Sequence, residues 1–380
     1  MSNDFQSLLS NFQSATGDGT KRKDPISKKD RSLNELTTSL WQRSQLRQSV
    51  QLLTKTPSKA KTSTETATEK EKEKEKEKKP VHLAICICIV DSLTHASVWE
   101  EWIREKNDLI SAELYVHAKT PEKVTNPWAR SKLISISHRP NWNDVRIVKA
   151  MLSLVEEALK DAKTTHIVFG TESCLPICPL AEVDMHHGKS YVSYYGKNQA
   201  TRFDERDVWD VLRQHIPLDA IHKALPGWCT LAKDHAQQII DMPTKELEGK
   251  DLWTAFESCW APEEAYFPTA LALLGLLSET ECKSLVYAEW SERTKRPEDK
   301  AHPKAWDREF DARLVASLRS SHGCIILRKL KFPIQLGRWK QAVLDGASST
   351  KRSMECEKSN NSFPPNKKSR VERDNYRKVS

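Results

Sequence analysis

Leu83 to Val90 is an unbroken apolar run, Leu-Ala-Ile-Cys-Ile-Cys-Ile-Val. A strand with no polar alternation cannot leave either face in water, so it belongs inside a parallel sheet covered on both sides. Just upstream, Glu69 to Lys79 alternates Glu and Lys and ends at Pro80. That segment has no apolar face in any secondary structure and reads as a solvated spacer. Order is therefore expected to begin at Val81. Thr94 can cap a helix running through Trp99 and Trp102, and Leu114 to His117 reads as a second strand. Asp144 to Asp161 carries Val145, Val148, Leu152, Val155 and Leu159 on one helical face. Thr165 to Phe169 follows as a third buried strand. Strands alternating with helices predict a Rossmann-like α/β layer. Beyond Leu180 the pattern is irregular, with a helix expected over Glu263–Leu276 and a short strand over Ile325–Leu327.

Charge separates the ends of the chain from its middle. The 380 residues carry a net charge of +8, with 17 Lys/Arg against 11 Asp/Glu in residues 1–80 and 9 against 5 in 341–380. The middle, 81–340, has 34 against 36 and no basic stripe of the kind a nucleic-acid-binding core shows. No nucleic-acid partner is expected for it. The division predicted is a disordered tail over 1–80, one domain over 81–340 and a disordered basic tail over 341–380. Within the first tail, Leu33, Leu36, Leu40, Trp41, Leu46, Val50 and Leu53 recur at roughly helical spacing. They predict a short amphipathic helix, partly formed in isolation, that could meet a membrane surface or a partner. No apolar run reaches the ~20 residues of a membrane-spanning helix, and the first five residues lack a signal-like apolar stretch. Read literally, the chain is cytoplasmic or nuclear and its nine cysteines are mostly buried thiols.

Four segments, in order along the chain, carry a resemblance to a known family. Ile167-Val168-Phe169-Gly170-Thr171-Glu172-Ser173-Cys174-Leu175-Pro176 is similar to a "FVLLSESCIPL" strand and turn. Gly227-Trp228-Cys229-Thr230-Leu231 with His235-Ala236 is similar to "QWCIL…HA". Cys259-Trp260-Ala261-Pro262-Glu263-Glu264-Ala265-Tyr266-Phe267-Pro268-Thr269 resembles "C..DEHYFPT". Tyr287-Ala288-Glu289-Trp290-Ser291 with Ala301-His302-Pro303 resembles "YVDWS…HP". Weaker matches are Trp142 to Ala150 ("WGDISLVKA") and Ile326 to Leu330 ("LFARKF"). Together they resemble the core-2/I-branching β-1,6-N-acetylglucosaminyltransferases over about residues 81–332. The resemblance implies a GT-A-type nucleotide-diphospho-sugar transferase fold, a UDP-sugar donor, a glycan or glycoprotein acceptor, and no metal cofactor. It also implies a Golgi membrane setting, by family analogy alone.

Transfer with inversion needs a carboxylate to take the acceptor hydroxyl's proton and positive charge to stabilise the departing diphosphate. By resemblance Glu264 is the base, the second acid of "DE", and Glu263 replaces the first. Lys329 matches the diphosphate lysine of "FARKF", Arg328 precedes it, and Arg319 is a second candidate cation. Glu172 ends a buried strand, where ligands sit in open α/β sheets; it either touches the donor or caps the next turn. Asp91 and His117 also fall at strand ends. Trp228 and Trp290 are candidates for stacking on an acceptor sugar, or are core. Glu182-Val183-Asp184 with His186-His187 imitates a metal site, but adjacent histidines cannot both face one ion from a regular element. Asp204 to Asp207 reads as a solvated helix start.

The chain departs from the family pattern in three places. No spanning helix precedes the domain. The "KGSQW" element is reduced to Leu225-Pro226-Gly227-Trp228, with Lys223 one place out of register. A charged stretch, Glu292 to Lys300, replaces the "GG" before "HP". Lys367-Lys368-Ser369-Arg370 resembles a nuclear import signal. The alternative function is therefore an inactive nucleocytoplasmic interaction protein that keeps the transferase fold.

Overall fold

A computed structural model describes residues 31–54, 79–197, 208–224, 228–290 and 302–345. The first 30 residues, the Glu-Lys tract, Asp204 to Asp207, Glu292 to Lys300 and the tail beyond 345 lie outside the described residues, and so do the expectations that fell on them.

The apolar run forms β1 (Val81–Ile89), paired in parallel with β2 (Ile110–Ala118) on one side and β3 (His166–Thr171) on the other. Its middle, Leu83 to Ile87, is wholly buried, as a central strand covered on both faces must be. The crossover between β1 and β2 carries helix α1 below its expected cap: Ala96–Arg104 starts after His95, with no side-chain cap and Thr94 left outside. Trp99 and Trp102 lie on its buried face, and the Trp102 indole donates to the Cys178 carbonyl at 2.7 Å. Helix α2 (Arg146–Leu159) joins β2 to β3 with Val148, Met151, Leu154, Val155 and Ala158 against the sheet.

Past β3 the sheet turns mixed. A two-residue turn leads to β4 (Cys174–Pro176), and the main sheet continues through β8 (Thr230–Ala232), antiparallel to β3. It ends on β5 (Ser190–Tyr191) and β9 (Thr280–Glu281), giving the order β2-β1-β3-β8-β5-β9. Two small sheets flank it. One pairs β6 (Tyr194–Gly196) with β7 (His222–Ala224); the other has β11 (Ile326–Arg328) between β10 (Val286–Ala288) and β4. Helices α3 (Lys233–Lys245), α4 (Pro262–Leu274) and α5 (Ala312–His322) complete the described body. Helix α4 is apolar nearly all round and buried, as a helix packed on every side must be.

The boundary expected at Val81 is corrected at one element. Leu33–Thr54, assigned to the tail, is a helix, called αN here, packed on the body with Leu36, Thr37, Leu40 and Ser44 buried. The Thr37 hydroxyl donates to the His215 carbonyl at 2.6 Å, and Asn34 and Gln48 reach the Gln214 and Gly275 carbonyls. Only part of the expected apolar face is used: Leu36 and Leu40 are buried where αN meets α4, while Leu46 and Val50 are exposed. At the other terminus Trp339 is buried, its indole donating to the Pro176 carbonyl at 2.8 Å, and Ala342 and Val343 carry the core past residue 340. The eight described cysteines are free thiols, seven of them buried or half-buried. Among the described residues no helix is long and apolar enough to cross a membrane.

Candidate active site

The carboxyl ends of β1, β2 and β3 open into a cavity of about 430 Å³. Cys88, Ile89 and Val90 come from β1 and its exit, His117 and Lys119 from the end of β2, and Thr171 to Ser173 from the turn after β3. Ligands of open α/β sheets bind on that edge.

Strand pairing delivers the cations. Arg328, last residue of β11, faces Cys174 in the antiparallel β4 pair, and the Leu330 amide donates to the Ser173 carbonyl at 3.0 Å. Arg328 and Lys329 therefore stand beside Glu172, and all three line the cavity. Burial pushes the Glu172 carboxyl above its ordinary range, opposed by those two cations and reinforced by Asp91. Asp91 itself is not among the lining residues. His117 lines the cavity; its Nε2 accepts from the His138 amide at 3.0 Å, and burial lowers its pKa to about 4. It is a neutral group there.

The carboxylates come from α4. Pro262 opens the helix, and Glu263 and Glu264 occupy its first turn, where acidic groups suit the helix dipole. Ahead of it Ala261 is left-handed, φ 48°, and its amide is bonded to the Asn143 side chain; Asn143 is left-handed too, φ 63°. Both line the cavity. The side chain of Glu264 is 13% exposed. Burial and the neighbouring Glu264 raise the Glu263 carboxyl to about 7, with Arg328 and Lys223 opposing.

Of the residues singled out by sequence, Glu264, Lys329, Arg328, Glu172, Trp228 and Trp290 all line this one cavity. Arg319 does not. It sits in the last turn of α5 with its guanidinium on Glu182, so the supposed metal-site acid and the supposed diphosphate cation neutralise each other. Trp228 is nearly buried under the Arg328 guanidinium, 5.2 Å from the ring centroid. The His187 ring bonds the Lys79 carbonyl at 3.1 Å, the His186 backbone carbonyl meets the His166 ring at 3.1 Å, and among the described residues no group of acids, cysteines and histidines could hold a metal ion.

Sequence reasoning gave no role in the site to three lining or adjoining residues, Trp142, Trp260 and Lys223, although each falls in or beside a quoted segment. Trp142 is 72% exposed at the mouth and meets Trp260 edge-on at 6.3 Å. Lys223, read as a degraded motif, is fully buried with its ammonium 3.4 Å from Glu264. Its position one place out of register was the available signal.

An α/β sheet holding carboxylates opposite cations at the carboxyl edge of its parallel strands defines a class of group-transfer folds rather than a protein. The particular family follows from the comparisons. The family model for the Core-2/I-Branching enzymes matches residues 84–318, and the chain belongs to that family. It is similar to glycosyltransferase BC10 of Oryza sativa subsp. japonica, 23% identical over 221 residues. That alignment covers 51% of this chain and 53% of the relative, so the chain spans about half the length of the curated relative it matches. Among solved structures it is similar to the galactosyltransferase LgtC in complex with donor and acceptor sugar analogues, with TM-score 0.31, 10% identity, 74% of this chain and 97% of that chain covered. An active-site mutant of LgtC gives TM-score 0.31, 9% identity and the same coverage.

Proposed function

We propose that the chain is an inverting glycosyltransferase that moves a sugar from a UDP-sugar to an acceptor hydroxyl. The observation that carries this reading is the gathering of Glu264, Arg328, Lys329 and Glu172 in one cavity at the sheet's carboxyl edge. In this reading Glu264 takes the acceptor proton, Lys329 and Arg328 neutralise the departing diphosphate, and Glu172 contacts the donor's ribose or sugar. Two cations at the diphosphate make the reaction metal-independent. N-acetylglucosamine is the first donor sugar to try, on the family's name; the acceptor is a glycan or glycoprotein, met across Trp228, Trp290 and the exposed Trp142. Calorimetric titration of UDP and a panel of UDP-sugars into the full chain, with and without EDTA, tests it. Saturable UDP binding indifferent to EDTA is expected. No binding would favour the inactive-fold alternative, and binding lost in EDTA and restored by manganese would overturn the metal-free mechanism.

A further inference from the structure

The ammonium of Lys223 has no exposed surface, yet it lies 3.4 Å from the Glu264 carboxylate and 5.5 Å from the Trp260 ring centroid. Its position is fixed from both ends. Strand β7 is clamped to α4 by Thr269, whose hydroxyl accepts from the His222 amide at 3.1 Å and donates to the His222 carbonyl at 3.2 Å. Trp260, in the loop that enters α4, closes over the other side. A buried ion pair is a weak stabiliser, because desolvating both charges offsets most of their attraction; an apolar pair of the same volume would hold β7 to α4 as well. A buried lysine at this point is better explained by what it does to its partner.

We propose that Lys223 is a positioning residue for Glu264, holding that carboxylate ionised and aimed into the cavity. The proposal rests on the reading of Glu264 as the proton acceptor. The helix dipole favours a charged carboxylate in the first turn, but partial burial beside Glu263, with Trp260 and Ala261 lining the same cavity, opposes it. An opposite charge within about 4–6 Å favours the charged form, by about 1–3 pH units in general. The other ionisable groups near the pair are Glu263 on α4 itself, Cys259 before the helix, Arg328 and Lys329 from β11, and Glu172 and His302 across the cavity. Of these, Glu263 opposes ionisation of Glu264 most directly, being its neighbour in the chain. Burial lowers the proton affinity of Lys223, and Glu264 is the largest influence opposing that. On this proposal the two acids of the first turn divide their roles: Glu264 pairs with Lys223, and Glu263, raised to about 7, is the one that holds its proton into the neutral range.

The test does not need turnover. In full chain labelled with 13C at glutamate carboxyls, the signal missing from Glu264→Gln identifies Glu264. In Lys223→Met its titration should move upward by a pH unit or more, and in Lys223→Arg it should stay within a few tenths. An unmoved titration in Lys223→Met overturns the proposal. Should Lys223→Met fail to fold, the double variant Lys223→Met/Glu264→Gln decides: it should melt higher than Glu264→Gln, which leaves the buried ammonium without its Glu264 counter-charge, and a double variant no more stable than that single one overturns the pairing. The two readings separate in the transfer assay. If Glu264→Gln transfers normally, the base assignment fails while the carboxyl titration still judges Lys223. If Glu264→Gln is inactive and the acid limb of turnover is the same in Lys223→Met as in the wild type, Lys223 alone is wrongly assigned.

Discussion

At the residue scale the proposed chemistry asks different things of two neighbouring acids. Glu264→Gln keeps the shape of the first turn of α4 and removes the base. UDP-sugar transfer should fall by about 10²–10⁴-fold, the usual worth of a general base, while calorimetry shows nearly unchanged UDP affinity. Lys329→Ala should do the converse first, weakening UDP binding by about 1.5–3 kcal/mol, the range of a charge-assisted contact. Glu263 makes a prediction in stability. Its folded pKa is about 7 against an ordinary value of 4.5, so the folded state holds its proton more tightly. That contribution is complete below about pH 4.5 and is lost as pH rises through 7. Urea denaturation at pH 5 and pH 8 should show wild type losing on the order of 1–3 kcal/mol more than Glu263→Gln across that interval. Equal losses would mean that Glu263 titrates like a solvated acid. Most lining residues were legible because each sits inside a motif. The roles of Lys223 and Trp142 were not, because their partners Glu264 and Trp260 lie far along the chain, where the Thr269 clamp and the Asn143 bond to Ala261 help to bring them close. Arg319 was over-read for the complementary reason: a cation near the right place in sequence was already paired with Glu182.

At the element scale, legibility followed length. β1, β2, α2 and α4 are long enough for an apolar run or a period to show, and each was expected within a few residues of where it lies. Strands β5, β8 and β9 have two or three residues each and carry no period, so the antiparallel turn of the sheet after β3 was not foreseeable. The helix αN shows the same limit differently: its period was visible, its docking partner was not. That docking depends on Gly275, which ends α4 with φ 77°. A Cβ there would lie 3.1 Å from the Ser44 Cβ on αN. Gly275→Ala should therefore destabilise the protein by about 1–2 kcal/mol from the left-handed conformation alone, with a further loss from the crowded helix. Thermal melts of Gly275→Ala in the full chain and after removal of residues 1–54 measure both; the second loss should vanish with αN.

At the scale of the whole molecule, αN makes the N-terminal segment part of the body across a Glu-Lys tract that offers many tryptic sites. Brief trypsin treatment should cut that tract, and the αN peptide should still co-elute with the remaining body in native size-exclusion chromatography, identified by mass. An αN peptide that elutes alone would show that the packing of Leu36 and Leu40 is too weak to hold without the covalent link. The overall α/β class was readable from the alternation of β1, α1, β2, α2 and β3, with β1 marking a sheet covered on both faces. The extent of the body was not, because charge and composition change at Pro80 while packing does not respect that change.

The antiparallel pairing of β11 with β4 has a consequence for when the protein becomes competent. Arg328 meets Cys174 across about 150 intervening residues. On a ribosome, β1 to β3 and the turn bearing Glu172 emerge long before β11, so the cavity lacks Arg328 and Lys329 until nearly all of the described body is made. Contacts so distant in sequence also form slowly, because a long loop must close before they are rewarded. A nascent chain stalled before Arg328 should thus lack the two cations that the proposed mechanism sets beside Glu172, and on that reading it should not bind UDP until β11 is added.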